Sequence, residues 1–236
     1  MTGARPVFAD IDPERLTMDP DAAAAAVTPR TRALMPVHLY GQPADMPRIM
    51  EVARTHGLAV IEDAAQSHLA ICGGTPIGRF GVLTAYSFYP TKNLGALGDG
   101  GAVTTDDADL AARLKRLRNG GQTTRYHHLE AGINSRLDEL QAAILRARLP
   151  HLPRWTGTRR RLAAIYRAEL TGAVPHVPRE YDAGHVYHLF PVLVDDRDAF
   201  QAHMSAAGVE TLVHYPVPIP RQPPLAAFAP AECPHA

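Results

Sequence analysis

The residues of this chain that are best placed for chemistry lie in a glycine-rich loop, Ser87–Gly101. Lys92 stands in this loop between two apolar strand patterns, 83–88 and 102–105. Its amine could condense with a carbonyl group, and Ser87, at the end of the first strand, offers a hydroxyl to an anion. The glycines of the loop carry no side-chain bulk and would let a ligand approach the backbone closely. The loop therefore predicts a ligand site built around one lysine.

A carboxylate is expected at the same place. Glu62 and Asp63 come directly after another apolar strand pattern, 58–61. The carboxyl ends of parallel strands meet at one edge of a sheet, and ligands bind there. We therefore expect a carboxylate, the Ser87 hydroxyl and the Lys92 amine to converge.

The elements around these residues alternate between strand and helix, which favours an α/β fold of parallel βαβ units with helices on both faces. Helical periodicity and capping residues predict helices at 19–26, 46–56, 106–119, from about 135 to 149, 155–170 and 195–207. Apolar runs predict strands at 5–9, 33–37, 58–61, 83–88, 102–105, 186–194 and 211–214, and a hairpin at 71–76.

Composition excludes several classes of function. With 24 basic and 24 acidic residues among 236, the chain has no net charge that would favour nucleic acid or an anionic membrane. It contains no apolar run of membrane-spanning length and no signal-peptide core at its start. Its two cysteines form no disulfide framework, which indicates a reducing cytoplasm. The twelve histidines, including His127, His128, His185 and His188, lack metal-ligand spacing, so we expect no metal site and surface positions for them.

Five motifs in this chain resemble, in the same order, those of the DegT/DnrJ/EryC1/StrS family of sugar aminotransferases, which use pyridoxal phosphate and have the type I fold. They are Glu62–His68, Ser87–Asn93, Gly98–Gly101, Gly132–Ala143 and Val213–Pro218. Together they spread over most of the chain, which makes the resemblance far more specific than a lysine in a glycine-rich loop would be.

The resemblance implies a role for Lys92 as the amine that bonds to pyridoxal phosphate. It selects Asp63, rather than Glu62, as the carboxylate beside the pyridine nitrogen, where an anion keeps the ring an electron sink. Each residue has a simpler interpretation as well. Lys92 would then be a solvated loop lysine, and Asp63 would be a helix N-cap after a strand.

Two further cofactor contacts are implied by the same motifs. Gln66 would reach the hydroxyl of the cofactor ring, or otherwise face solvent. Ser87 would bind the cofactor phosphate, or otherwise bond to the backbone at its strand end.

Three more residues are implied to act at the substrate or across a subunit boundary. Asn134 would contact the phosphate in the site of a partner subunit, which implies a homodimer with shared sites; its alternative is a helix N-cap. His214 and Tyr215 would lie near the sugar nucleotide, and a purely structural role is equally compatible with the sequence.

The implied reaction moves an amino group from an amino acid, expected to be L-glutamate, to a nucleotide-linked ketosugar. The amino-acid sequence of the lysine loop is most similar to that of family members acting on dTDP-3-oxo-6-deoxyhexoses in antibiotic or surface-sugar pathways. The implied architecture is a three-layer α/β/α large domain, 1–150, with part of a smaller C-terminal α+β domain, 151–236. Family members begin with a phosphate-binding helix start and a ring-stacking aromatic residue that precede this sequence, so we expect a truncated chain. A non-catalytic remnant or interaction partner with the same fold is the alternative function.

Overall fold

The computed structural model of the chain describes residues 3–174, 176–228 and 233–236. Its helices are α1 (Pro20–Ala25), α2 (Met46–His56), α3 (Ala108–Leu117), α4 (Glu139–Arg148), α5 (Leu152–Leu170) and α6 (Arg197–Ala206). Its strands are β1 (Ala33–Leu34), β2 (Ala59–Asp63), β3 (Ile71–Cys72), β4 (Thr75–Pro76), β5 (Leu83–Ser87), β6 (Gly101–Thr104), β7 (Gln122–Thr124) and β8 (His127–His128). Short 3₁₀ turns lie at Leu39–Gly41, Leu149–His151, Ile219–Arg221 and Pro223–Phe228.

The central sheet has the strand order β1-β2-β5-β6. The first three strands run parallel, and β6 returns antiparallel to β5 across the lysine loop. The register pairs Asp63 with Ala85, so β2 and β5 end at the same edge, with Ser87 two residues further along. The mostly parallel sheet confirms the α/β class and brings Asp63 and Ser87 to one edge.

Helix α2 forms the main core with this sheet. Met46, Ile49 and Ala53 lie on one helical face and are buried against Val60 of β2. Burying a Met or Ile side chain contributes roughly 1.5–3 kcal/mol, so this face holds the helix to the strand that carries the carboxylates. The helix ends as predicted at Gly57, whose left-handed φ of 63° suits glycine.

A second apolar cluster anchors the lysine loop. Leu94 and Ala96, two and four residues after Lys92, are buried against Leu145 of α4 and Leu152 of α5. The loop therefore leaves the sheet edge and packs on α4 and α5, which come after α3 in the chain.

Several element boundaries differ from the sequence-based prediction. Residues 5–9, 186–194 and 211–214 form no regular strand, and helix α4 begins at Glu139 rather than near Ser135. Within 186–194 the backbone instead bonds to a turn and to arginine side chains, as when the Val186 amide donates to the Gly41 carbonyl at 3.0 Å. An apolar run can be buried without joining a sheet when other groups satisfy its backbone.

Candidate active site

Lys92 lies in a tight turn at the sheet edge. Its amide donates to the Tyr89 carbonyl at 2.9 Å, and the Ala96 amide closes the loop on the Phe88 carbonyl at 2.7 Å. A side chain at Gly95 would sit 2.4 Å from the Pro90 carbonyl, so the turn requires glycine there. The half-buried Lys92 amine is therefore carried by a loop with little freedom to move.

Lys92 and Asp63 lie close enough to interact electrostatically. Partial burial lowers the pKa of Lys92 below its ordinary value, and the Asp63 carboxylate acts in the opposite direction. Asp63 ends β2, where its Oδ1 accepts from the Ala65 amide at 3.0 Å. The N-cap alternative for Asp63 is wrong, because a turn and not a helix follows β2, and this bond closes that turn. Among the described residues the second oxygen of the carboxylate accepts no hydrogen bond, so it can interact with a ligand.

Glu62, the competing carboxylate, is fully engaged elsewhere. It is 0% exposed and accepts hydrogen bonds from His38, from Thr84 and from three backbone amides, those of Gly78, Phe80 and Gly81, at 2.8–3.3 Å. Successive side chains of a strand point to opposite faces, so Glu62 faces away from the Asp63 side. Glu62 therefore closes the 77–82 turn and is not part of the candidate site.

Gln66 is buried and does not face solvent. Its Oε1 accepts from the Tyr40 amide at 2.6 Å, and its Nε2 donates to the Tyr215 hydroxyl at 3.0 Å. The Tyr40 hydroxyl in turn donates to the His214 carbonyl. These bonds bring Gln66, His214 and Tyr215 together beside the β2 edge, as the sequence had suggested for residues of one site.

Ser87 and Asn134, the two residues expected to bind a cofactor phosphate, make hydrogen bonds within the protein. The Ser87 Oγ accepts from the Tyr89 amide at 3.2 Å, as in its structural interpretation. Asn134 is exposed, and its Oδ1 accepts from the Arg136 guanidinium at 3.0 Å. The N-cap alternative for Asn134 is wrong, because Asp138 occupies the position before α4. Asn134 makes no hydrogen bond to the Lys92 or Asp63 side chain in this chain's described part.

Comparison with known proteins decides the family. The sequence profile of the DegT/DnrJ/EryC1/StrS aminotransferase family matches residues 1–236. The chain belongs to this family.

Individual relatives agree with that assignment. The chain is similar to a dTDP-3-amino-3,4,6-trideoxy-alpha-D-glucose transaminase of Streptomyces venezuelae, with 50% identity over 98% of this chain and 62% of that protein. It also resembles the crystal structure of S. venezuelae DesV in complex with a ketimine intermediate. That match has a TM-score of 0.94 at 50% identity and covers 99% of this chain and 64% of DesV. NtdA from Bacillus subtilis with bound cofactor PMP has a TM-score of 0.87 at 34% identity, covering 98% of this chain and 55% of NtdA. The chain thus spans about 62% of the length of the Streptomyces relative.

The expected surface position is wrong for His68 and His188, which are both buried. His68 packs against the rings of Tyr86 and Phe88, at centroid distances of 5.4 and 5.9 Å, and neither ring nitrogen makes a hydrogen bond of normal length among the described residues. His188 is 8% exposed. Burial, and secondly the nearby charge of Lys92, lower the pKa of both to about 4. Two imidazoles that are neutral at neutral pH therefore lie near the Lys92 amine.

Among His185, His127 and His128, which were also predicted at the surface, one is buried and two are exposed. His185 is also buried, and burial followed by the charges of Arg167 and Arg160 lowers its pKa to about 3. His127 and His128 are exposed, as expected. His68 stands inside a motif that marks the family, whereas nothing near His188 in sequence signals its partners.

No group of three or more histidine, cysteine or acidic side chains among the described residues could hold a metal ion. None of the helices in the described part of the chain has the length and apolar character needed to cross a membrane.

Proposed function

We propose that this chain carries the lysine site of a pyridoxal-phosphate-dependent aminotransferase acting on a nucleotide-linked ketosugar. The observation that supports it most is the half-buried Lys92 amine, with its lowered pKa, beside the Asp63 carboxylate. An amine of lowered pKa is more often uncharged at neutral pH and can attack a carbonyl carbon. The two groups fit the cofactor's aldehyde and its pyridine nitrogen, which are the two ends such a site must hold.

The residues would divide the work as follows. Lys92 would hold the cofactor covalently and, when released, take the proton from the α-carbon of the amino acid and return it. Asp63 would keep the pyridine nitrogen protonated. When bound, the cofactor supplies an electron sink for the charge that develops at that carbon. The unpartnered ring nitrogens of buried His68 support a site whose polar groups need a ligand or water to complete them.

The remaining predicted contacts are part of the same proposal. Gln66 and Ser87 would bind the cofactor ring hydroxyl and phosphate, after exchanging their present bonds to Tyr215 and the Tyr89 amide. Asn134 would reach the phosphate of a partner subunit in a homodimer. Its exposure is compatible with that role.

The substrates follow from the names of the relatives. The Streptomyces relative is named for a dTDP-3-amino-3,4,6-trideoxyglucose, so we propose a dTDP-3-oxo-6-deoxyhexose as acceptor. L-glutamate is the proposed amino donor, and His214 and Tyr215 would lie near the sugar nucleotide. We also propose a cytoplasmic location and the division into a cofactor-binding domain, 1–150, and part of a small domain, 151–236.

A non-catalytic protein with this fold is the second candidate. It is favoured by the side chains of Gln66 and Ser87, which are already bonded within the protein rather than open to a cofactor. In that case Lys92 would have no covalent partner.

A covalent-capture experiment separates the two. The sequence contains two lysines, Lys92 and the exposed Lys115, so the absorbance gained from added pyridoxal phosphate can come from either lysine or from the α-amino group of the chain. We expect Lys92→Ala to abolish the band and Lys115→Ala, the matched control, to keep it. Borohydride reduction and peptide mass spectrometry would then locate the cofactor on residue 92. Absence of capture by the wild-type chain would support the non-catalytic candidate.

A further inference from the structure

Asn93, the residue after Lys92, is tied to a distant part of the chain. It is 5% exposed, and its Nδ2 donates to the Val186 carbonyl at 3.2 Å. Its Oδ1 lies 3.0 Å from Nδ1 of His188. The opposite orientation of the amide would set two oxygens against each other at Val186, so Oδ1 must be the acceptor and His188 Nδ1 the donor.

The charge state of His188 fits this bond. Burial, then the positive charges of Lys92 and Arg159, with smaller contributions from His68 and His214, lower the pKa of His188 to about 4. At neutral pH the ring therefore carries one proton, and that proton lies on Nδ1 and points at Asn93. Nε2 keeps its lone pair and has no protein partner in the described part of the chain.

The segment that carries His188 is a fixed support. The Val186 amide donates to the Gly41 carbonyl at 3.0 Å. On the other side, Arg159 of α5 donates to the carbonyls of Tyr187 and His188, both at 3.1 Å. A Cβ at Gly41 would lie 2.9 Å from the His188 amide nitrogen, so the two segments are in direct backbone contact. Asn93 is thus bonded to a segment that is held from two directions.

We propose that His188 is a positioning residue for Lys92, which it acts on by fixing the Asn93 side chain and with it the adjacent lysine backbone. The inference rests on the proposed function of Lys92. Leu94 and Ala96 anchor the far end of the loop by apolar packing, which resists displacement but sets orientation poorly. The backbone bonds of the turn and the bond from Asn93 to Val186 hold the main chain, and the directional bond from His188 to Asn93 adds to them in orienting the residue next to the amine.

Two substitutions of His188 separate the hydrogen bond from simple packing. His188→Asn places an amide nitrogen near the position of Nδ1 and can still donate to Asn93, whereas His188→Leu fills similar space without a donor. We expect His188→Leu to slow capture of pyridoxal phosphate by Lys92 about tenfold, the effect of one lost buried hydrogen bond. His188→Asn should stay within about threefold of the wild-type rate. Equal slowing by both variants, or none by either, would overturn the inference.

A second readout uses the cofactor-free chain and does not depend on capture. With isotope-labelled lysine, the two ε-methylene signals are assigned by Lys115→Arg, and Lys92 is titrated by NMR. In His188→Leu, Lys92 should move toward solvent and its pKa should rise toward the ordinary value of about 10.4. In His188→Asn it should remain low. An unchanged Lys92 titration in His188→Leu would contradict the proposal.

A double-mutant cycle tests whether His188 acts through Asn93. Asn93→Leu also loses the bond to Val186, so if His188 acts through Asn93, the double variant Asn93→Leu with His188→Leu should be no slower in capture than Asn93→Leu alone. Additive slowing would show that the two residues act separately and would overturn the inference. Failure of the wild-type chain to capture the cofactor would instead count against the proposed function, while the NMR titration would still decide the role of His188.

Discussion

Glu62 and Asp63 are neighbours on the same strand, yet they differ in almost every physical respect. The Glu62 side chain is completely buried and accepts five hydrogen bonds, whereas Asp63 is half-buried and accepts one. Strand alternation places them on opposite faces. The comparison shows how one strand end supplies both a structural carboxylate and an available one.

The environment of Glu62 explains why its charge is tolerated inside the protein. Burial alone would raise the pKa of Glu62, but hydrogen bonds from His38 and from the Gly81 and Gly78 amides lower it below its ordinary value. His38 completes the arrangement. Its Nδ1 accepts from the Ala44 amide at 3.1 Å, so the proton on Nε2 is directed at Glu62.

The largest expected effect is on stability, and it should separate the two carboxylates. Glu62→Gln replaces an acceptor oxygen with a donor and leaves several buried donors unpaired. The free energy of unfolding should fall by about 3 kcal/mol or more, as when one partner of a buried network is removed. Asp63→Asn keeps a side-chain acceptor and should cost less than about 1 kcal/mol. Urea denaturation followed by circular dichroism measures both.

A variant that removes only one hydrogen bond to Glu62 keeps this prediction testable even if Glu62→Gln does not fold. Thr84→Val removes only one of the five donors to Glu62 and should cost about 1 kcal/mol. Similar losses for the Glu62 and Asp63 variants would remove the distinction between the two carboxylates.

A smaller effect separates His68 from Glu62 by pH. His68, which lies near Lys92, has a folded pKa of about 4, below its ordinary value of about 6.5. The unfolded chain therefore binds the proton first, and stability should fall as the pH drops from about 6.5 to about 4. Glu62, whose folded pKa is also lowered, contributes stability above about pH 4.3 that is lost only as the pH falls further.

Substitution of His68 tests these windows. His68→Phe should reduce the slope of unfolding free energy between pH 6.5 and 4 by about 1 kcal/mol per pH unit, and it should leave the loss below pH 4 in place. His127→Gln, at an exposed site, is the matched control and should leave the slope unchanged. Urea midpoints measured across this range provide the test, and an unchanged slope in His68→Phe would mean that His68 is not buried in its neutral form.

Local signals in the sequence predicted much of this fold. The apolar spacing and Gly57 stop of α2 are confirmed, and so are the helices predicted within 106–119 and 195–207 and the 71–76 hairpin. Each depends on residues within one turn of one another. The strand predicted at 186–194 was wrong, because a continuous apolar run does not show which groups will bond to its backbone.

For the site, too, the sequence predicted the features that depend on local motifs and missed those that join distant parts of the chain. The Lys92 and Asp63 motifs sit at strand ends, which a parallel sheet brings together. The burial of His188 and its bond to Asn93 join residues 95 positions apart, and neither has a local signature. The roles of Gln66, Ser87, Asn134, His214 and Tyr215 toward a cofactor or substrate stay predictions.

The most direct test of the division between the two carboxylates is the ionisation of Lys92 in the cofactor-free chain. NMR titration of labelled lysine should give Lys92 a pKa below the ordinary value of about 10.4. Asp63→Asn removes the nearby negative charge and should lower that pKa further. A Lys92 titration that is unaffected by Asp63→Asn would show that the carboxylate and the amine do not share a site, and the proposed function would fail with it.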